Sequence, residues 1–271
     1  MNEALPSLAA AIRAALLTGD PAGKVFAARK VARDWRLGRL AFDLARDEAP
    51  LMPERPEWPA NLELLPPTQM PRRGKGGSER GRIALWHALA HIEFVAIDLA
   101  LDMAGRFGGE RGEEFVSDFL SVAADEAMHF ALLDRKLAAL GSHYGAFPAH
   151  DGLWQAAQDT AHDPAARLAI VPMVLEARGL DVTPAMLERV KAQGDSHGAR
   201  ILERILDDEI RHVALGTKHF LKICREGNKL PQETWQNLVR THFSGRLKPP
   251  FNDSARHAAG LSLEFYAALA S

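Results

Sequence analysis

Cysteine is nearly absent from this chain of 271 residues, with Cys224 its sole representative. One thiol excludes an internal disulfide and any cysteine-built metal site, so a bound metal would need carboxylate and imidazole ligands. Tyrosine is almost as scarce, at two residues. Strand-like alternation of Val, Ile and Thr is hard to find, which argues against a β fold. No strong charge of one sign is present either. The formal net charge is -2, too near neutral to point to a nucleic-acid partner by itself. No apolar run reads as the eighteen or so residues of a membrane span. The N-terminus, Met1-Asn-Glu-Ala-Leu-Pro, starts acidic and meets Arg13 inside a predicted helix, which is unlike a signal peptide. The expected compartment is the cytoplasm.

What is present points to helix. Hydrophobic residues make up 47% and charged residues 25%, which excludes a disordered chain. Ala, Leu and Arg are abundant, and these favour helix. Two N-terminal helices are expected over 4–17 and 22–47, the second opened by Asp20-Pro21. Residues 49–80 hold seven prolines and then Gly74, Gly76 and Gly77, so an irregular segment is predicted there. Four long helices follow. The first spans about 81–106 and stops near Gly108-Gly109; the second spans about 111–140. The third opens at Asp163-Pro164, is interrupted by Gly179 and Pro184 just after Glu176, and resumes to about 193. The fourth spans about 195–226. A short helix at 153–160 and two more at 231–243 and 253–269 complete the reading. The organisation is therefore 1–80, N-terminal helices and a connecting segment; 81–228, the main bundle; and 229–271, C-terminal helices.

The chain also repeats itself. Shifted by 83 residues without a gap, Glu93 falls on Glu176, Asp98 on Asp181, Asp125-Glu126 on Asp208-Glu209, and His129 on His212. Repeats of this kind mark duplicated supersecondary units. Here the unit is a helical hairpin, and two paired hairpins make a four-helix bundle.

The repeat preserves one glutamate on each odd helix and Glu-x-x-His on each even one: Glu93, Glu126-Ala-Met-His129, Glu176 and Glu209-Ile-Arg-His212. Residues at i and i+3 lie about 60° apart around a helix and about 4.5 Å apart along it, so both can reach one metal or a close pair. Each candidate also falls on an apolar stripe. Trp86, Ala90 and Ile97 accompany Glu93, while Phe119, Val122 and Leu133 accompany Glu126 and His129. Met173 and Leu180 accompany Glu176, while Leu202, Ile205 and Phe220 accompany Glu209 and His212. Such stripes face a core. Four buried carboxylates without partners would be very costly, and two divalent cations would neutralise them. The alternative for any single member is a surface or helix-pairing charge.

These residues resemble the ligand set of the ferritin-like di-iron and di-manganese carboxylate proteins. Asp208-Glu209-Ile-Arg-His212 is similar to the Asp-Glu-x-Arg-His motif of their oxygenase and desaturase branches. The span from roughly 25 to 225 resembles a bacterial ferritin-like group, the DUF455 family. The first motif departs from the second, with Met128 where the second has Arg211. The resemblance implies Glu93 and Glu176 as terminal ligands, Glu126 and Glu209 as bridges, and His129 and His212 with one nitrogen on each metal. It implies two metal ions, iron first and manganese as the alternative. The activity it implies is an O2-activating oxidase or hydroxylase acting on an unidentified small-molecule or macromolecular substrate, fed by an electron donor. Ferroxidase or iron handling, di-manganese peroxide consumption and a metal-stabilised interaction protein are the alternatives, and a homo-oligomer is compatible with each.

Asp125 and Asp208 point about 100° away from the glutamates. They are candidates to hold an imidazole N–H from outside the ligand set or to be solvated and paired with Arg. Asp98 and Asp181 carry a weaker signal still. His87 and His91 lie off the Glu93 face and read as core or surface histidines. Arg72-Arg73-Gly74-Lys75-Gly76-Gly77 reads as a solvated loop or an anion cradle. Arg29 to Arg39, with Lys30, Arg33 and Arg36 between, is a basic helical segment. It suits RNA, a membrane or an acidic partner, or is simply an exposed face.

Overall fold

A computed structural model describes residues 4–45, 51–70 and 78–270. Among them the chain is all-α and has no β-strand. It divides into two compact units, Met1–Trp154 and Gln155–Ser271. The basic run from Arg72 to Gly77 lies outside the described residues.

The first unit holds α1 (Leu8–Leu16), α2 (Pro21–Arg36), α3 (Glu79–Arg111) and α4 (Glu113–Ala139). Side-chain oxygens start three of them. Ser7 accepts from the Ala10 N–H, Asp20 from that of Gly23 and Ser78 from that of Gly81, each satisfying a donor that the first turn leaves open. α3 and α4 pair along their lengths, α2 packs on α4, and α1 packs on α2 and α3. That arrangement explains why α3 and α4 are buried on more than one stripe. α4 buries Phe119, Val122, Glu126, His129, Leu133 and Leu137, and also Phe115, Val116, Ala123 and Phe130. By length and composition α3 passes for a membrane span, contrary to the sequence expectation, but most of its apolar stretch is buried inside the fold.

Three boundaries in this unit differ from expectation. α1 starts at Leu8, and α2 stops at Arg36 where a run to 47 is expected, because Gly38 takes φ +64° and turns the chain out of the helix. α3 runs through Gly108-Gly109. Those glycines are not a stop signal; they make room for neighbours. A Cβ on Gly109 would press on the Leu44 carbonyl, and one on Gly108 on Val116. The helix stops instead at Gly112, φ +88°.

The short helix α5 (Gly152–Asp159) spans the boundary between the units. The second unit holds α6 (Pro164–Ile170), a π-helical turn (Val171–Glu176), α7 (Ala177–Ala192), α8 (Ser196–Glu226), α9 (Pro231–His242), α10 (Asp253–Ala258) and α11 (Leu263–Tyr266). The expected interruption at Gly179 and Pro184 does not occur, since α7 passes through both. Pro184 has no N–H for the Leu180 carbonyl, and Asn252 Nδ2 donates to that carbonyl at 3.2 Å instead. The irregularity lies upstream, where Pro172 sits in the π turn. There the Ala169 carbonyl accepts from the Trp235 indole N–H at 3.2 Å. The Pro172 ring lies against Gly216 of α8, where any Cβ would overlap it. The expected C-terminal helix at 253–269 is broken into short pieces around Gly260, φ +75°.

Candidate metal centre

In the first unit Glu93 sits midway along α3, and Glu126 and His129 lie one turn apart on α4. The pairing of the two helices turns all three inward. Glu126 and His129 are 0% exposed and Glu93 5%. His129 Nδ1 lies 3.1 Å from Glu93 Oε2 and 3.3 Å from Glu126 Oε2. One ligand atom from each of the three lies within 4.8 Å of the others.

The electrostatics follow from burial. Burial and the neighbouring Glu126 carboxylate push the Glu93 carboxyl well above its ordinary range. Burial works against a charged His129, but its hydrogen bonds to Glu126 and Glu93 outweigh this and carry the imidazole up to about 11. Without a metal, His129 Nδ1–H therefore donates between the Glu93 and Glu126 carboxyl groups. A divalent cation competes for the same place, because metal ligation needs the imidazole nitrogen free of its proton. Two carboxylates and one imidazole in mutual reach, shielded from water, form a donor set that fits iron, manganese or zinc. This buried Glu/His cluster can hold a metal.

In the second unit Glu209 and His212 are buried on α8, with His212 Nδ1 3.6 Å from Glu209 Oε1. Glu176 is the last residue of the π turn and is half-buried. π turns inside helices often mark functional positions. Asp208 accepts from Arg204 Nε at 2.6 Å, one helical turn back, and Asp125 is half-buried.

His87 and His91 are core histidines. The Gly145 N–H donates to His87 Nε2 at 2.9 Å. His91 Nε2 faces the His150 carbonyl at 3.1 Å and its Nδ1 faces the Tyr144 hydroxyl at 2.9 Å. The carbonyl can only accept, so Nε2 carries the proton and the Tyr144 hydroxyl donates to Nδ1. The two rings thereby fasten the segment after α4 to α3. Burial pulls both down to about 4, so they are neutral near pH 7.

Asp98 and Asp181 have a structural role that the sequence alone does not announce. Each is fully buried at its side chain and paired with a cation from outside its hairpin. Lys24 of α2 donates to Asp98, as does the Trp58 indole at 2.9 Å. Arg256 of α10 binds Asp181 through two nitrogens, at 2.8 and 2.7 Å. The 83-residue repeat, which sets Asp98 on Asp181, was the signal that could have found them.

A family model described as a protein of unknown function, DUF455, matches residues 17–267. A Haemophilus influenzae protein described as uncharacterised is 40% identical over 223 residues, which cover 80% of this chain and 75% of the relative. No solved structure matches. With the family model spanning nearly the whole sequence, the chain belongs to the DUF455 family.

Proposed function

We propose that the chain is a carboxylate metalloprotein that holds two metal ions and activates dioxygen, with Glu93, Glu126, His129, Glu176, Glu209 and His212 as the ligands. The bundle in this reading is ferritin-like. One hairpin is α3 and α4, and the other is the α6–α7 segment and α8. The observation that carries the reading is the buried triad: two carboxylates face one imidazole in a core where carboxylates are costly. The sequence repeat supports the second half, because Glu209 and His212 recur at the same helical spacing and are buried in the same way.

Iron, when bound, would supply electrons to dioxygen for oxidation of a substrate, with an electron donor restoring them. The chain's own part is to hold and to shield. Glu126 and Glu209 are placed one turn before a histidine, so each can share a cation with it. Phe94 and Phe130, adjacent in sequence to Glu93 and His129, are buried and pack with ring centroids 5.1 Å apart.

The test is dioxygen uptake after anaerobic loading with Fe²⁺. Wild-type protein should consume dioxygen, repeatedly when a reductant is supplied, and Glu126→Gln protein should not. Protein that holds iron yet consumes no dioxygen would overturn the oxidase reading and leave a structural metal.

A further inference from the structure

The outward face of α2 is not explained by the metal reading. Lys24, Ala28 and Val31 mark its buried side. At 100° per residue, Phe26, Arg29, Lys30, Arg33, Arg36 and Leu37 fall within an arc of about 120° on the opposite side. All six are exposed, Phe26 at 67% and Leu37 at 52%. Between Arg29 and Arg39 five cations stand against one anion, a local charge of +4, so the rest of this -2 chain carries -6. The one anion, Asp34, is buried. Lys30 and Arg33 fold onto it at 2.6 and 3.2 Å yet leave about half of each side chain exposed, 53% and 50%. The acidic first turn of α4, Glu113 and Glu114, does not neutralise the face. Trp35, which points to the buried side, donates to Ser117 of α4 at 2.8 Å, so α4 lies behind α2.

We infer that this face of α2 docks onto an anionic lipid surface. Charge complementarity favours a polyanion, since clustered Lys and Arg gain from a negative surface potential. The shape and the apolar side chains favour lipid among polyanions. Single-stranded nucleic acid is tracked by grooves lined with aromatic platforms, whereas this face is the convex side of one helix. Phe26 and Leu37 stand eleven residues apart along it, about 16 Å. A helix lying flat in a headgroup layer places its arginines at phosphates and such side chains at the acyl boundary. The inference does not depend on the metal.

The experiment is co-sedimentation of the full chain with vesicles of phosphatidylglycerol and phosphatidylcholine in equal parts, against vesicles of phosphatidylcholine alone. The protein should bind the first and not the second, and added salt should release it. The Arg29→Ala, Arg33→Ala, Arg36→Ala protein should bind roughly tenfold more weakly or worse. The Phe26→Ser, Leu37→Ser protein, with every charge kept, should also bind more weakly. No binding to anionic vesicles at low salt would overturn the inference, as would unchanged binding by either variant. Capture of polyuridylate through the same arginines without vesicle binding would assign the face to nucleic acid instead.

Discussion

Glu126→Ala protein should emerge from purification with essentially no bound iron or manganese, its affinity lowered by more than about 100-fold. Loss of a group that only orients a ligand already costs 10–100-fold, and Glu126 is placed to be a ligand itself. His129→Ala should behave alike, since both carboxylates converge on its Nδ1. The isosteric Glu126→Gln keeps the volume and removes the charge. Removing the Glu126 charge relieves its repulsion of Glu93 but takes one of two carboxyl partners from His129, so the metal-free Gln variant should unfold near the midpoint of metal-free wild type. That combination, metal lost and fold kept, separates a ligand from a packing residue. Elemental analysis beside a thermal midpoint reads both. Full metal retention by both alanine variants would sink the site assignment.

Asp98→Asn should be among the most destabilising single changes in the first unit. It leaves the Lys24 ammonium buried at 0% exposure with its counter-charge gone, beside the Leu16 carbonyl and the Phe94 ring. Breaking a buried ion pair from one side costs about 3–5 kcal/mol, on the order of 10 °C in the thermal midpoint. The pair is not strongly stabilising in itself. Burial pushes the Asp98 carboxyl up to about 6 and pulls the Lys24 ammonium down, against their mutual attraction. Joint replacement, Lys24→Met with Asp98→Leu, should therefore recover most of the loss, and half-buried Trp58 can turn its N–H to water. A double-mutant cycle by urea denaturation measures the coupling, and an additive cycle would show that the two charges do not depend on each other.

How much of this was legible in the sequence depends on the range of the interaction. The Glu-x-x-His pairs were legible because i to i+3 spacing is local and helical geometry alone brings the two side chains together. The apolar stripes of α4 and α8 were legible for the same reason. Asp163-Pro164 worked as a helix start, with Asp163 accepting from the Ala165 N–H. Glycine and proline misled where a distant neighbour decides their role. Gly108 and Gly109 admit the 44–45 backbone and Val116, and Pro184 is tolerated because Asn252 takes up the freed carbonyl. Lys24 with Asp98, and Asp181 with Arg256, are 74 and 75 residues apart, and nothing local in the sequence announces either pair. The repeat marks Asp98 and Asp181 as equivalent but not the cation that each one takes.

In the proposed reading these carboxylates and histidines hold two metal ions. The most direct test is elemental analysis of the purified, untagged chain, as isolated and after anaerobic reconstitution with Fe²⁺ or Mn²⁺. About two iron or manganese ions per chain are expected, the number that paired-hairpin carboxylate sites hold. Protein that takes up neither metal after reconstitution would contradict that reading and leave the cluster as a packing or binding feature.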